Sequence, residues 1–141
     1  MLSDIPPDKR CHQPVEHGNP AIWVLGHLTA TDNFFLTTLG GREAVVDESW
    51  NRIFGMGSEP SGEPSDYPPF DEVRNASQRA RDALIDWFDS MDEQQLSAPL
   101  PDELKGFAPN VVGLIVSIAW HEGLHCGQLS AIRRSLSLIH I

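Results

Sequence analysis

The chain has 141 residues, ten Lys and Arg against twenty Asp and Glu, a net charge of −10 and 40% hydrophobic residues. That is enough for one domain with a real core. The acidic balance argues against a nucleic-acid surface or a polybasic membrane contact, both of which need clustered cations.

The first nineteen residues, punctuated by Pro6-Pro7, Pro14 and Gly18-Asn19-Pro20, read as loop. Asn19 before Pro20 is a helix-start pair, an N-cap acceptor with proline at N1, so a helix is expected over 20–39, ended by Gly40-Gly41. Its apolar set includes Trp23, Leu28, Phe34 and Phe35, and His27 lies one turn from Trp23. A short helical turn is expected around 48–53, and the Gly-, Ser- and Pro-rich stretch 55–69 reads as a long surface loop. A second strong helix is expected over about 70–91. There Val73, Ala76, Ala80, Leu84, Trp87 and Met91 recur at spacings of three and four, with Arg74, Arg79, Arg81, Asp82, Asp86 and Asp89 on the other face.

Residues 92–109, with Pro99, Pro101 and Gly106, form another connection. The last helix is expected from just after Asn110 to about 135. Between Lys105 and Arg133 its only charged residue is Glu122, so it is expected to be nearly all buried, as the central helix of a bundle. Its most apolar run, 111–120, is too short to span a bilayer. No alternating strand pattern occurs, and the fold class is all-α. Three long helices with long connections fit a four-helix bundle whose first helix is largely missing from the chain.

The terminal six residues, LSLIHI (136–141), back-translate as CTG TCT CTT ATA CAC ATC, the transposon mosaic-end adapter of sequencing libraries. We read them as an adapter-derived tail, leaving 1–135 as a single domain and removing His140 from the candidate ligands. Cys11 and Cys126 do not make a disulfide framework and no cationic, apolar leader opens the sequence, so a cytoplasmic protein is expected.

Trp120-His121-Glu122-Gly123-Leu124-His125 contains the string H-E-x-x-H. On a helix, positions i and i+4 share a face, so His121 and His125 can reach one metal ion. Leu114, Ile118 and Leu129 lie on that face and turn it inward. Two imidazoles on a buried apolar face are costly unless something uses their nitrogens, whether a metal or hydrogen-bonding neighbours. A zinc peptidase with Glu122 as general base is the usual meaning of the string. Here it fails: no Asp or Glu follows His125, and Gln128 and Ala131 stand where the extended motif needs glycine and histidine.

A third ligand must come from upstream, and His27, mid-helix in Trp23-Val24-Leu25-Gly26-His27-Leu28, is the best candidate. Gly26, Gly123 and Gly127 are expected to let helices approach closely near the histidines. Three histidines from two helices leave coordination positions open, as catalytic sites do. Glu122 is the candidate catalytic carboxylate, although it projects roughly 100° from His121 on an ideal helix. Gln128 is read either as orienting a ligand or as a packing amide. Cys11, Cys126, His12 and His17 are given no metal role, and Trp50, Trp87 and Trp120 are read as core or pocket wall.

Asn19-Pro20-Ala21-x-Trp23-x-x-Gly26-His27-Leu28, followed by Trp120-His121-Glu122-Gly123-x-His125-x-Gly127-Gln128-Leu129 and Arg133-Arg134, resembles the DinB-like superfamily of damage-inducible, metal-binding helix bundles. The resemblance covers about 6–136. It implies a DinB/YfiT-like four-helix bundle, often a homodimer, holding a divalent metal through His27, His121 and His125. Members are similar to transferases that use bacillithiol, mycothiol or glutathione as the thiol, and some are described as hydrolases. The expected function is therefore a metal-dependent transfer of a low-molecular-weight thiol to a small-molecule electrophile, or a related hydrolysis. A stress-response bundle that binds metal without turnover is the alternative. Zinc, nickel and iron all suit three imidazoles.

Overall fold

The computed structural model describes residues 2–139. Its helices are α1 (Ala21–Thr38), α2 (Ser49–Phe54), α3 (Phe70–Asp89), α4 (Glu93–Ser97) and α5 (Val111–Ser135), and no strand occurs among the described residues. The long helices fall where hydrophobic periodicity puts them. Both α1 and α5 are apolar on nearly every side, and α1 is used accordingly. It lies against α3 along much of its length, with α2 and α5 on its flanks.

The start of α1 differs from expectation. Pro20 occupies the N-cap in extended backbone and the helix begins at Ala21, so Asn19 is one residue too early to cap it. The Asn19 side chain instead donates from Nδ2 to Oε1 of Gln128 on α5, at 3.3 Å. In α3, Val73, Ala76, Ala80, Leu84 and Trp87 are buried as the pattern requires, while Met91 lies just past the helix end. The connection 92–109 is more ordered than its prolines suggest. Asp92 and Gln95 form a reciprocal capping box that starts α4. An antiparallel bridge between Pro99 and Asn110 closes the connection, sending Leu100, Leu104 and Ala108 into the core.

Asn110 caps α5, its Oδ1 accepting from the Gly113 N–H at 2.8 Å. Val111, Leu114, Ile118, His125, Leu129 and Ile132 form the buried side. The opposite side is not covered: Val112, Val116, Trp120 and Leu124 are exposed, Trp120 by 66%. The expectation of a nearly all-buried helix is therefore corrected. Apolar composition on every side says that a helix packs, and leaves open which side does so.

Two core clusters result. One joins the first half of α1 to α2, Tyr67 and the end of α5, through Val24, Trp50, Phe54, Leu129 and Ile132. The other joins the second half of α1 to α3 and the start of α5, through Phe35, Leu36, Leu84, Leu114 and Ile118. Because α1 and α5 run antiparallel, His27 and the His121/His125 pair meet at the junction of the clusters. Arg133 of α5 pairs with Asp4, tying the N-terminal segment down. Within the 136–141 stretch, Leu136 and Leu138 rest on the first cluster; His140 and Ile141 lie outside the described residues.

Candidate metal centre

One turn of helix separates His121 from His125, and their rings stand edge to face with Nε2 atoms 3.1 Å apart. His27 arrives from α1 with its Nε2 at 3.2 Å from that of His121. The three residues each offer a ligand nitrogen, all within 4.8 Å of one another. The sequence-derived trio is thus brought together.

Neighbours fix which nitrogen each ring presents. His27 donates from Nδ1 to the Phe54 carbonyl at 2.7 Å, and His125 donates from Nδ1 to Gln128 Oε1 at 2.8 Å. In a neutral ring that leaves Nε2 as a bare lone pair, the orientation found in metal-ligating histidines. Asn19 holds the Gln128 amide with its oxygen towards His125. Gln128 therefore orients His125 and, through Asn19, also ties α5 to the segment before α1, so both readings of the amide hold.

The donor set fits a small cation. His121 Nε2 carries at most one hydrogen yet faces two acceptor nitrogens, so one close pair sets lone pair against lone pair unless a cation lies between them. Burial, and then the neighbouring His125 and His27, push His121 down to about 4. Burial also lowers His125, against the opposing Gln128 hydrogen bond. An extra proton at neutral pH is thus an expensive way to resolve the clash. Tetrahedral zinc–imidazole bonds of about 2.0–2.1 Å put ligand nitrogens on the order of 3.3 Å apart, close to the observed spacing.

The surroundings are rigid. Trp23 stacks on His27 with ring centroids 4.7 Å apart and planes 7° from parallel, while its Nε1 donates to the Ile53 carbonyl at 3.0 Å. Gly26 permits the approach of α2: a Cβ there would lie 2.3 Å from the Phe54 ring. The same role expected of Gly123 and Gly127 is not found, since a Cβ at either meets nothing within 4 Å. Both glycines lie on the uncovered side of α5.

Glu122 does not join the histidines. Its carboxylate accepts from Nη1 of Arg81 on α3 at 2.6 Å, and the Nε of Arg81 reaches Asp32 of α1 at 2.8 Å. One guanidinium thus links α1, α3 and α5. Burial pushes Asp32 up to about 6, although Arg81 pulls the other way. Burial also works against the Arg81 charge, but the two carboxylates outweigh it and raise its pKa. This triad was not foreseen from the sequence, yet a signal existed: Asp32 is the lone charge in α1, as Glu122 is in α5 before its final turn. The Phe54 carbonyl, being backbone, left no such signal.

A helical bundle with three converging imidazoles, two of them held in the Nε2-ligating tautomer, defines a class of candidate metal-binding proteins. The family model described as DinB superfamily matches residues 1–129, and the chain belongs to that superfamily. No curated protein and no solved structure is significantly similar to the chain. No helix among the described residues is long and apolar enough to cross a membrane.

Proposed function

We propose that this protein is a metal-dependent transferase that joins a low-molecular-weight thiol to a small electrophile, or a closely related hydrolase. His27, His121 and His125 would hold a divalent zinc, nickel or iron ion. When bound, such an ion supplies a Lewis acid that makes a thiol or water acidic enough to act as nucleophile near neutral pH. The observation that carries this reading is the convergence of three Nε2 atoms beside a cavity of about 430 Å3, which both His27 and His121 line. Catalytic three-ligand sites leave room for substrate in this way.

The chain's own residues prepare the site. The Phe54 carbonyl holds the proton on His27 Nδ1, and Gln128 holds it on His125 Nδ1. Trp23 covers one face of His27 and keeps water from it. Glu122 acts through Arg81, steadying α5 rather than meeting substrate. Bacillithiol, mycothiol and glutathione are the thiols the reading admits, in a cytoplasmic homodimer.

Metal analysis tests the proposal. Reconstituted wild type should hold about one ion per chain, and His27→Ala and His125→Ala should each lose it, since every ligand of a three-ligand site is needed. A wild type that stays metal-free after reconstitution overturns the reading. Stoichiometric metal without thiol-dependent consumption of epoxides or haloarenes would instead make it a binding module without turnover.

A further inference from the structure

We infer that the cavity beside the histidines selects a neutral, largely apolar electrophile whose single polar group lies at the histidine end, and that its walls give an anionic electrophile no cation to pair with; this rests on the proposed function and names its substrate class. The cavity lies between α1 and α5, is bordered by the turn after α2 and by the 106–107 loop, and is open to solvent on one side. Its size falls within the range of small-molecule pockets, about 300–1,000 Å3. Four aromatic rings, Phe34, Phe35, Phe107 and Trp120, line it together with Leu114 and Ile118.

What the cavity lacks decides the class. Among the residues lining it, only His27 and His121 are titratable, and none is Lys or Arg. Its two hydroxyls have spent their hydrogens on the backbone: Thr31 donates to the His27 carbonyl at 2.9 Å, and Ser117 donates to the Phe107 carbonyl at 2.9 Å. The Asn51 amide is exposed at the rim. Away from the histidines, the lining therefore offers a carboxylate or phosphate no cation, and its side-chain donors are two neutral groups, the Trp120 indole N–H and the Asn51 amide. Burying an anion without a charged partner costs several kcal/mol, and Arg81, between α1, α3 and α5, is already held by Asp32 and Glu122. The net charge of −10 further repels anions at long range.

The aromatic walls favour the opposite chemistry. Phe35 and Phe107 meet edge to face with centroids 5.3 Å apart, and Phe34 completes the cluster. Phe107 and Trp120 remain 44% and 66% exposed. Exposed rings grouped around a concavity mark a binding site rather than ordinary surface. A planar apolar body fits between them with its polar, reacting end towards His27 and His121.

The test is equilibrium dialysis of two near-isosteric probes, neutral 2-acetonaphthone and anionic 2-naphthoate, against metal-free and metal-reconstituted protein. The ketone should bind both forms, and naphthoate should bind the metal-free form at least about ten-fold more weakly. Phe107→Ala and Trp120→Ala each remove a partly exposed ring of the cavity wall. Each should weaken ketone binding by about five-fold or more; Trp120→Ala should leave the circular-dichroism melt unchanged, whereas Phe107→Ala also loses its contact with Phe35 and should lower it slightly. Ser117→Lys should raise naphthoate affinity by about ten-fold, by supplying the missing cation. Equal binding of the two probes to the metal-free wild type overturns the inference, as does naphthoate binding indifferent to Ser117→Lys. Metal uptake without ketone binding also overturns it while leaving the metal reading intact. Ketone binding without metal uptake supports the pocket chemistry and removes the metal reading.

Discussion

Gly26→Ala separates the two ways a helical glycine can matter. The added Cβ would sit 2.3 Å from Cδ1 and Cε1 of Phe54, whereas apolar carbons rest about 3.5–4.0 Å apart. The ring must therefore retreat by more than about 1 Å. It has nowhere to go: Phe54 is fully buried, with Trp50 5.1 Å and Tyr67 5.7 Å away between centroids. Overpacking of this kind costs about 3 kcal/mol at the upper end. Replacing a mid-helix glycine by alanine returns about 1 kcal/mol, for a net loss of about 2 kcal/mol. For a chain of this length that lowers Tm by on the order of 6–10 °C. Displacing Phe54 also moves the carbonyl that holds His27, so metal affinity should fall by about 10–100-fold.

Gly123→Ala makes the same chemical change where a Cβ meets nothing, and should stabilise by about 0.5–1 kcal/mol with metal affinity unaltered. Thermal melts of the metal-free proteins and chelator-competition titrations read both effects. A Gly26→Ala protein that melts like Gly123→Ala and keeps its metal affinity refutes the packing argument.

Gln128→Ala leaves the three ligands in place but frees the His125 ring, and chelator competition should register a loss of about ten-fold or more in metal affinity. The pH dependence of metal-free stability carries two opposed contributions. Asp32 titrates near 3.8 unfolded and about 6 folded, so its stabilisation is complete below pH 4 and is lost as pH rises through 6, about 3 kcal/mol in all. His121 runs the other way, from 6.5 unfolded to about 4 folded, so its contribution is present above pH 6.5 and lost as pH falls towards 4. Relative to wild type, Asp32→Asn should therefore tilt the stability-against-pH curve upward across pH 4–6 and His121→Gln should tilt it downward. Denaturant titrations at stepped pH read the tilt, and an Asp32→Asn curve parallel to wild type would count against the burial assigned to Asp32. Arg81→Met strands Asp32 without its cation and should cost about 3–5 kcal/mol; adding Asp32→Asn should recover part of that loss.

How much was legible depended on whether a residue broke its local pattern. The amphipathic stripe of α3 named its buried residues directly, because charged residues fill the other face. The polar exceptions in apolar helices were equally informative: His27, His121 and His125 stood out and proved to converge. Asp32 and Glu122 broke the same pattern, but one-dimensional spacing cannot place Arg81 between residues 90 apart. The capping box of α4 was available as Asp92-x-x-Gln95. The Phe54 carbonyl was illegible, since backbone groups have no side-chain signature, and only the missing Cβ at Gly26 hinted that something approached there.

The two faces of α5 show why the histidines belong to the inner one for a chemical and not merely a geometric reason. Its outer side carries Val112, Val116 and Leu124, with Trp120 at the edge of the cavity, apolar groups no less suited to a core than Leu114 and Ile118. Over the first half of α5, hydrophobicity alone would let the helix rotate by half a turn with little loss. In its second half Leu129 and Ile132 oppose that because, Leu124 apart, the outer side there offers only Gly123, Gly127 and Ala131. Such a rotation would withdraw His121 and His125 from His27, leave Gln128 away from Asn19, and pull Glu122 from Arg81. The polar contacts therefore add to Leu129 and Ile132 in setting the rotation, and they set it where the first half of the helix is apolar on both sides, as a buried polar residue fixes register in a coiled coil. The groups that select this packing are largely those that assemble the candidate metal centre, so the orientation of the last helix and the formation of the site are one event.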